Sequence, residues 1–386
     1  MKMNKHIRSI FVLLLSVSLV SCGGGPQQGS FTSTGSMKYQ RSYHTTTLLN
    51  TGMVLVAGGV GSGTSAELYD PVTGSWSTTG SMNIARFGHT ATLLSSGKVL
   101  VTGGYSVTGT SVVQSTTSAE IYDPNAGSWT LVKQMGSPRA GHTATLLLDG
   151  TVLVAGGNAA DSTGSNLNTY KSCEIYDPGT DSWSPTTGPM NVQRSSHTAT
   201  LMPGGKVLVT GGDTYIGPIS GGATPVSPTP TAELYDPGTR GWTQVVNMSI
   251  RRMQHTATLL HDGRVLIAGG QTEFNSLSSA EIFTAPTSAS VVGSWSGAAS
   301  MKWARKLFTA TLLPSGNVLV TGGENALIIY SAAEVFDPVK GAWSDSGNMT
   351  TARSAHTAVV LQNGKVLLTG GVGVQSQLSS AELYKP

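Results

Sequence analysis

The residues best suited to chemistry recur at fixed intervals. A histidine stands three positions after an arginine in six places: His44, His89, His142, His197, His255 and His356. Phe308 holds the matching position once. The arginines are Arg41, Arg86, Arg139, Arg194, Arg252, Arg305 and Arg353, each four positions after a methionine. Seven glutamates (Glu67, Glu120, Glu174, Glu233, Glu281, Glu334 and Glu382) match them one to one. Imidazole is the side chain whose ordinary pKa suits acid–base work near neutral pH. A catalytic histidine, however, occupies one setting, and here the setting repeats. The repetition assigns these histidines to hydrogen bonds between units of the fold. It also pairs each Arg with a Glu, because buried charges need partners. The other acids form neither a calcium loop nor a paired-carboxylate motif.

Residues that do not repeat are better candidates for a site. A Gly-Gly pair begins at Gly58, Gly103, Gly156, Gly211, Gly269, Gly322 and Gly370. The residues that follow are Val60, Tyr105, Asn158, Asp213, Gln271, Glu324 and Val372. Tyr105, Asn158, Asp213, Gln271 and Glu324 thus offer hydrogen-bonding side chains from five consecutive units, a set suited to a sugar or a peptide backbone. The segments after them are longest in units two to four, and variation on a constant scaffold is where binding usually resides. Trp303 interrupts a mostly apolar column and is expected to be half-buried.

Short strands must position these residues. From Met37 to Met349 the text repeats with a mean period of 52 residues. Each unit reads as four strands: one leaving the His, a Gly-bearing hairpin, an apolar run such as Val99 to Thr102, an Ala-Glu-Leu/Ile-Tyr stretch, and a strand carrying Trp. The apolar run lacks polar alternation, so both its faces should be buried. A four-stranded sheet cannot cover both faces alone, but sheets stacked around an axis can. Composition agrees: of 386 residues only 11% are charged, 39% are hydrophobic and 49 are glycine. The last unit lacks its Trp strand, while Gly29-Ser-Phe31 aligns with Gly74-Ser-Trp76. The N-terminal strand should therefore complete the last sheet.

The first segment reads as an address. Lys2, Lys5 and Arg8 precede an apolar run from Ile10 to Val20, shorter than the ~20 residues a membrane-spanning helix needs. Leu19-Val20-Ser21-Cys22 resembles the lipobox of bacterial lipoproteins. The resemblance implies cleavage after Ser21 and lipidation of Cys22. Residues 1–21 are then a signal peptide, 22–28 the lipidated cysteine and a tether, and 29–386 one folded domain. Without the first three cations the charges balance at 20 basic and 20 acidic residues. That balance argues against nucleic acid, which is held by a basic face. Cys173 is the one other cysteine, so no disulfide is expected.

The paired glycines, the strand tyrosine and the later Trp resemble the kelch repeat from about Gly29 to Pro386. The resemblance implies an all-β, seven-bladed propeller of four antiparallel strands per blade. Galactose oxidase resembles the same fold, and that family uses copper held by two Tyr and two His, with a Cys cross-linked to one Tyr. Here His44 of the Tyr43-His44 tandem is a repeat histidine, and Cys173 replaces a repeat Ala. The expectation is a monomeric module without cofactor, exported and lipid-anchored to a bacterial envelope at the outer membrane or cell surface. It should bind a glycan or an envelope protein and catalyse nothing. The alternatives are a copper oxidase or glycan-acting enzyme, and a purely structural envelope component.

Overall fold

A computed structural model describes residues 29–107, 113–160, 166–214, 216–218, 227–286 and 292–386. Cys22 and the whole of 1–28 lie outside the described residues. Among the described residues all the regular structure is β, in seven four-stranded antiparallel sheets and three small accessory sheets. Blade 1 runs Thr45–Leu48, Val54–Ala57, Ala66–Asp70 and Ser75–Thr78 from the axis outward. The first strand of every blade contacts the first strands of both neighbours, and the cycle closes from Thr357–Val360 in blade 7 back to Thr45–Leu48. The N-terminal strand Ser30–Ser33 pairs with Ala381–Lys385 and completes blade 7. Phe31 takes the Trp position there, its ring 4.9 Å from that of Tyr384. Tyr69 and Trp76 stack in the same way at 5.0 Å.

The core is seven slabs rather than one centre. Every second strand is buried along its length, as the unbroken apolar runs require. Each apolar cluster draws on two neighbouring blades. Leu49, Leu55 and Ala66 of blade 1, for instance, pack with Met82, Val99 and Tyr122. Packing between blades therefore closes the ring, with the seven first strands lining the axis and short connections bounding its two ends.

One end is asymmetric. Beyond the Gly pairs of blades 2 to 4, the connections form strands of their own. Tyr105–Val107 pairs with Val113–Ser115, and Asp213–Thr214 with Ser227–Pro228. Asn158–Ala160 pairs with Asn166–Thr169, which pairs onward with Ile216–Pro218 from the next blade. Blades 5 to 7 carry short turns instead, and their tips expose Phe274, Leu327, Ile328 and Val374.

Candidate functional site

The seams between blades repeat one chemistry. Arg41 shows it. Its backbone meets blade 7, with its N–H donating to Leu378 and its carbonyl accepting from Gly371. Its guanidinium meets blade 1, donating to the Gly58 and Ser65 carbonyls and to Glu67 at 2.6 Å. All seven Arg–Glu pairs form, each within one blade. The free carboxylate oxygens cap backbone N–H groups, as Glu67 does for Lys38 at 2.7 Å. The Gly pair lies against the next arginine. Gly58 and Gly59 have φ of +61° and +103°, and a β-carbon on Gly59 would stand 2.8 Å from the Ser42 carbonyl oxygen. Only glycine combines that backbone with that approach.

The repeat histidines bridge blades, as their spacing implies. His142 Nε2 lies 3.1 Å from the hydroxyls of Thr90 and Thr102 in the preceding blade. The other five make the matching contact. Burial first, then the nearby arginines, push all six well below the ordinary imidazole range, His142 to about 3. They are neutral structural links. Where Phe308 replaces histidine, the facing Thr256 hydroxyl is buried and has no partner among the described residues.

Directly before each of these residues, the chain turns left-handed around the axis. Tyr43, Gly88, Gly141, Ser196, Gln254, Leu307 and Ala355 all have φ between +49° and +61°. Five of them are not glycine, and such positions cost of order 1 kcal/mol or more each. Their amides link blade to blade. Gly88 N–H donates to Tyr43 at 2.9 Å, Ser196 to Gly141 at 2.9 Å, Gln254 to Ser196 at 3.0 Å and Ala355 to Leu307 at 2.8 Å.

Above this amide ring opens a cavity of about 710 Å³ on the axis. Tyr43, Phe87, Tyr105 and Phe308 supply aromatic walls, Asn158, Ser196 and Gln254 supply polar groups, and the seam histidines His89, His142, His197 and His255 form part of its floor. No Asp, Glu, Lys or Arg lines it. Of the five candidates at the Gly pairs, Tyr105 and Asn158 line the cavity; Asp213, Gln271 and Glu324 do not. Two of those three support the lining. The Tyr105 hydroxyl donates to Asn158 Oδ1, Asn158 Nδ2 donates to Ser195 Oγ at 3.1 Å, and Ser195 Oγ donates to Asp213 at 2.7 Å. Gln271 Nε2 donates to Gln254 Oε1 at 3.3 Å. Glu324 accepts from Ser354 Oγ at 2.7 Å and sits 3.8 Å from the Lys306 ammonium. Burial pushes the Tyr105 phenol up to about 12 and raises the Asp213 carboxyl. Tyr105 therefore stays a hydrogen-bond donor.

Sequence reasoning missed the left-handed column. Gly88 and Gly141 within it were the available signal, since glycine at two of seven equivalent positions marks a backbone the other five must also adopt. Trp303, expected to be half-buried, is instead exposed at the surface, where its ring lies 5.8 Å from that of Tyr330, the one aromatic ring packed against it among the described residues.

A family model for the Attractin/LZTR1 β-propeller matches residues 62–217. Kelch-like protein 15 of Danio rerio is 28% identical over 181 residues, 43% of this chain and 28% of that protein. An F-box/kelch-repeat protein of Arabidopsis thaliana is 28% identical over 148 residues, 38% of this chain and 33% of its own length. With seven closed blades, these matches decide the fold. The chain is a kelch-type β-propeller. It spans about a third or less of the length of these curated relatives. Among solved structures, a fungal alcohol oxidase of the AA5 family in complex with copper covers 93% of the propeller and 76% of its own chain, at a TM-score of 0.70 and 20% identity. YjhT covers 90% and 95%, at 0.59 and 13%. At those identities the likeness is one of fold.

The propeller's residues do not fit a copper centre. Its six repeat histidines each spend Nε2 on threonine in a separate seam, including the four that reach the cavity floor. Cys173 is buried in the third strand of blade 3, its Sγ 3.6 Å from the Lys171 carbonyl oxygen. Burial pushes that thiol up to about 12. Among the described residues no three His, Cys, Asp or Glu side chains converge as metal ligands.

Proposed function

We propose that this kelch-type propeller is a non-catalytic binding module that takes a neutral glycan at its axial mouth. The observation that carries the reading is the lining of the cavity: aromatic faces beside amide, hydroxyl and neutral imidazole groups, with no Asp, Glu, Lys or Arg. Sugars present the complement, apolar C–H faces edged by hydroxyl groups. Three or four of the mouth's hydrogen bonds, each of about 0.5–1.5 kcal/mol net, would hold one sugar residue.

The lipid anchor at Cys22 belongs to the same reading. Ser30 lies opposite Lys385, at the end of blade 7 away from the Gly pairs. A tether entering there leaves the mouth facing outward from the membrane. Cys22→Ser should release the protein from membranes, and a variant that stays as firmly bound as the native chain removes the anchor from the proposal.

Glycan-array screening of residues 29–386, followed by calorimetry, tests the binding. Asn158→Ala should weaken a neutral glycan about tenfold or more, through the lost side chain and the loosened Tyr105 hydroxyl. A glycan bound equally by that variant places the site elsewhere. One observation favours a protein partner instead: the exposed apolar tips Phe274, Leu327, Ile328 and Val374 on one side of the mouth. Loss of an envelope-protein interaction on changing Phe274 and Leu327 to Ser, with glycan binding absent, would select that reading.

A further inference from the structure

The seam between blades 5 and 6 differs from the other six in three independent ways. First, it lacks the histidine bridge, since Phe308 faces a Thr256 hydroxyl with no partner among the described residues. Second, it lacks the amide link. Six of the left-handed residues donate their N–H to the preceding blade, but among the described residues Leu307 N–H and the Gln254 carbonyl are bonded neither to each other nor elsewhere. Third, the contact at the Gly pair is locally looser: a β-carbon on Gly269 would lie 2.8 Å from the Arg305 carbonyl oxygen, against 2.5 Å or less at the six equivalent pairs, while the Gly270 N–H still donates to that carbonyl at 2.9 Å. The Phe308 ring fills the seam where the smaller imidazole would sit. Gln254, Leu307 and Phe308 all line the axial cavity.

A free donor thus stands beside a free acceptor, next to an aromatic face, in a cavity without charge. The neutral group that answers both is a secondary amide, whose C=O accepts and whose N–H donates from adjacent atoms. A small alkyl group on that amide would meet Leu307 and Phe308. We infer that the mouth selects a neutral sugar bearing an acetamido group, whose amide occupies the open link between Gln254 and Leu307 and whose methyl group rests against Phe308. This rests on the neutral-glycan reading above and narrows it to one substituent.

Calorimetry on residues 29–386 with triacetylchitotriose and with cellotriose tests it, since the two trisaccharides share a backbone and differ in the acetamido group. The acetylated sugar should bind about tenfold more tightly, the worth of one or two added hydrogen bonds. Saturation-transfer NMR should show the acetyl methyl protons as the most strongly saturated. Phe308→His supplies the missing bridge to Thr256 and closes the seam. It should raise the melting temperature while reducing the preference for the acetylated sugar to about one, so misfolding cannot explain the loss. Equal affinity of the native protein for the two sugars, with both weakened by Asn158→Ala, overturns the acetamido inference and leaves the neutral-glycan reading standing. A preference that survives Phe308→His also overturns the inference. Failure of both sugars to bind overturns both readings.

Discussion

The seams and the mouth of this propeller are built from the same seven sequence repeats, yet they behave oppositely under repetition. At the seams, Arg–Glu pairs recur seven times and His–Thr bridges six times, with near-constant distances. At the mouth, the residue after the Gly pair changes from Val60 to Tyr105, Asn158, Asp213, Gln271 and Glu324 around the ring, and the connections beyond it change length and pairing. Residues that hold two blades together answer to identical neighbours in every blade, so they cannot vary separately. Residues at the mouth answer to a ligand that lacks sevenfold symmetry. The difference teaches that, in a ring, departure from the repeat locates function better than reactivity does.

Acid should break this contrast most severely. The six seam histidines are neutral in the folded ring, with pKa values far below the roughly 6.5 of the unfolded chain. Between those values the unfolded chain binds more protons, so stability rises with pH. The contribution is complete above about pH 6.5 and is lost as pH falls, by up to about 1.4 kcal/mol per pH unit for each histidine. Urea midpoints should therefore drop steeply between pH 7 and pH 5. His142→Phe, which copies the natural Phe308 seam, should flatten that slope. A midpoint independent of pH would mean that the histidines are not buried neutral links.

Arg194→Ala comes next in size. It leaves Glu233 buried without its cation, and breaking such a pair costs about 3–5 kcal/mol. Asn158→Ala, at the mouth, should cost about 1–3 kcal/mol through the unpaired groups it leaves behind. Equilibrium unfolding of the two variants sharpens the comparison. Equal losses would mean that the mouth is as structural as the seams.

Phe31→Ala has the smallest expected effect of the seam changes. Phe31 is half-buried against Tyr384, so its removal should cost less than the about 3–5 kcal/mol of a fully buried Phe. The calorimetric melting temperature should fall, with glycan affinity unchanged. An unchanged melting temperature would show that the strand contributes little to closing blade 7.

The fold was legible because seven copies of one text average out local ambiguity. The Gly pairs, the strand tyrosines and the absent last Trp together dictated the ring and its closure. The Arg–Glu and His roles were legible for the same reason. The site was legible only in part. Tyr105 and Asn158 could be placed at the mouth by counting from the glycines, but the inward bonds of Asp213 and Glu324 depend on Ser195 and Ser354 in the adjacent connection. No spacing rule brings those pairs together. The open link at Leu307 was hidden because Phe308 reads as a missing histidine until its threonine partner is known.

The pairing of Ser30–Ser33 with Ala381–Lys385 has a consequence measured in time. The Thr32 hydroxyl meets the carbonyl of Leu383, 351 residues later in the chain. At about 5–20 residues per second of synthesis, the first strand waits on the order of 20–70 s for its partner to emerge. Throughout that interval every partial product, however well its early blades have formed, carries an unpaired outer edge and an open ring. A chain stalled or cut before Ala381 never acquires its clasp and stays open to proteases. Closure thus acts as a check of completeness, made by the first strand of the ring on the last.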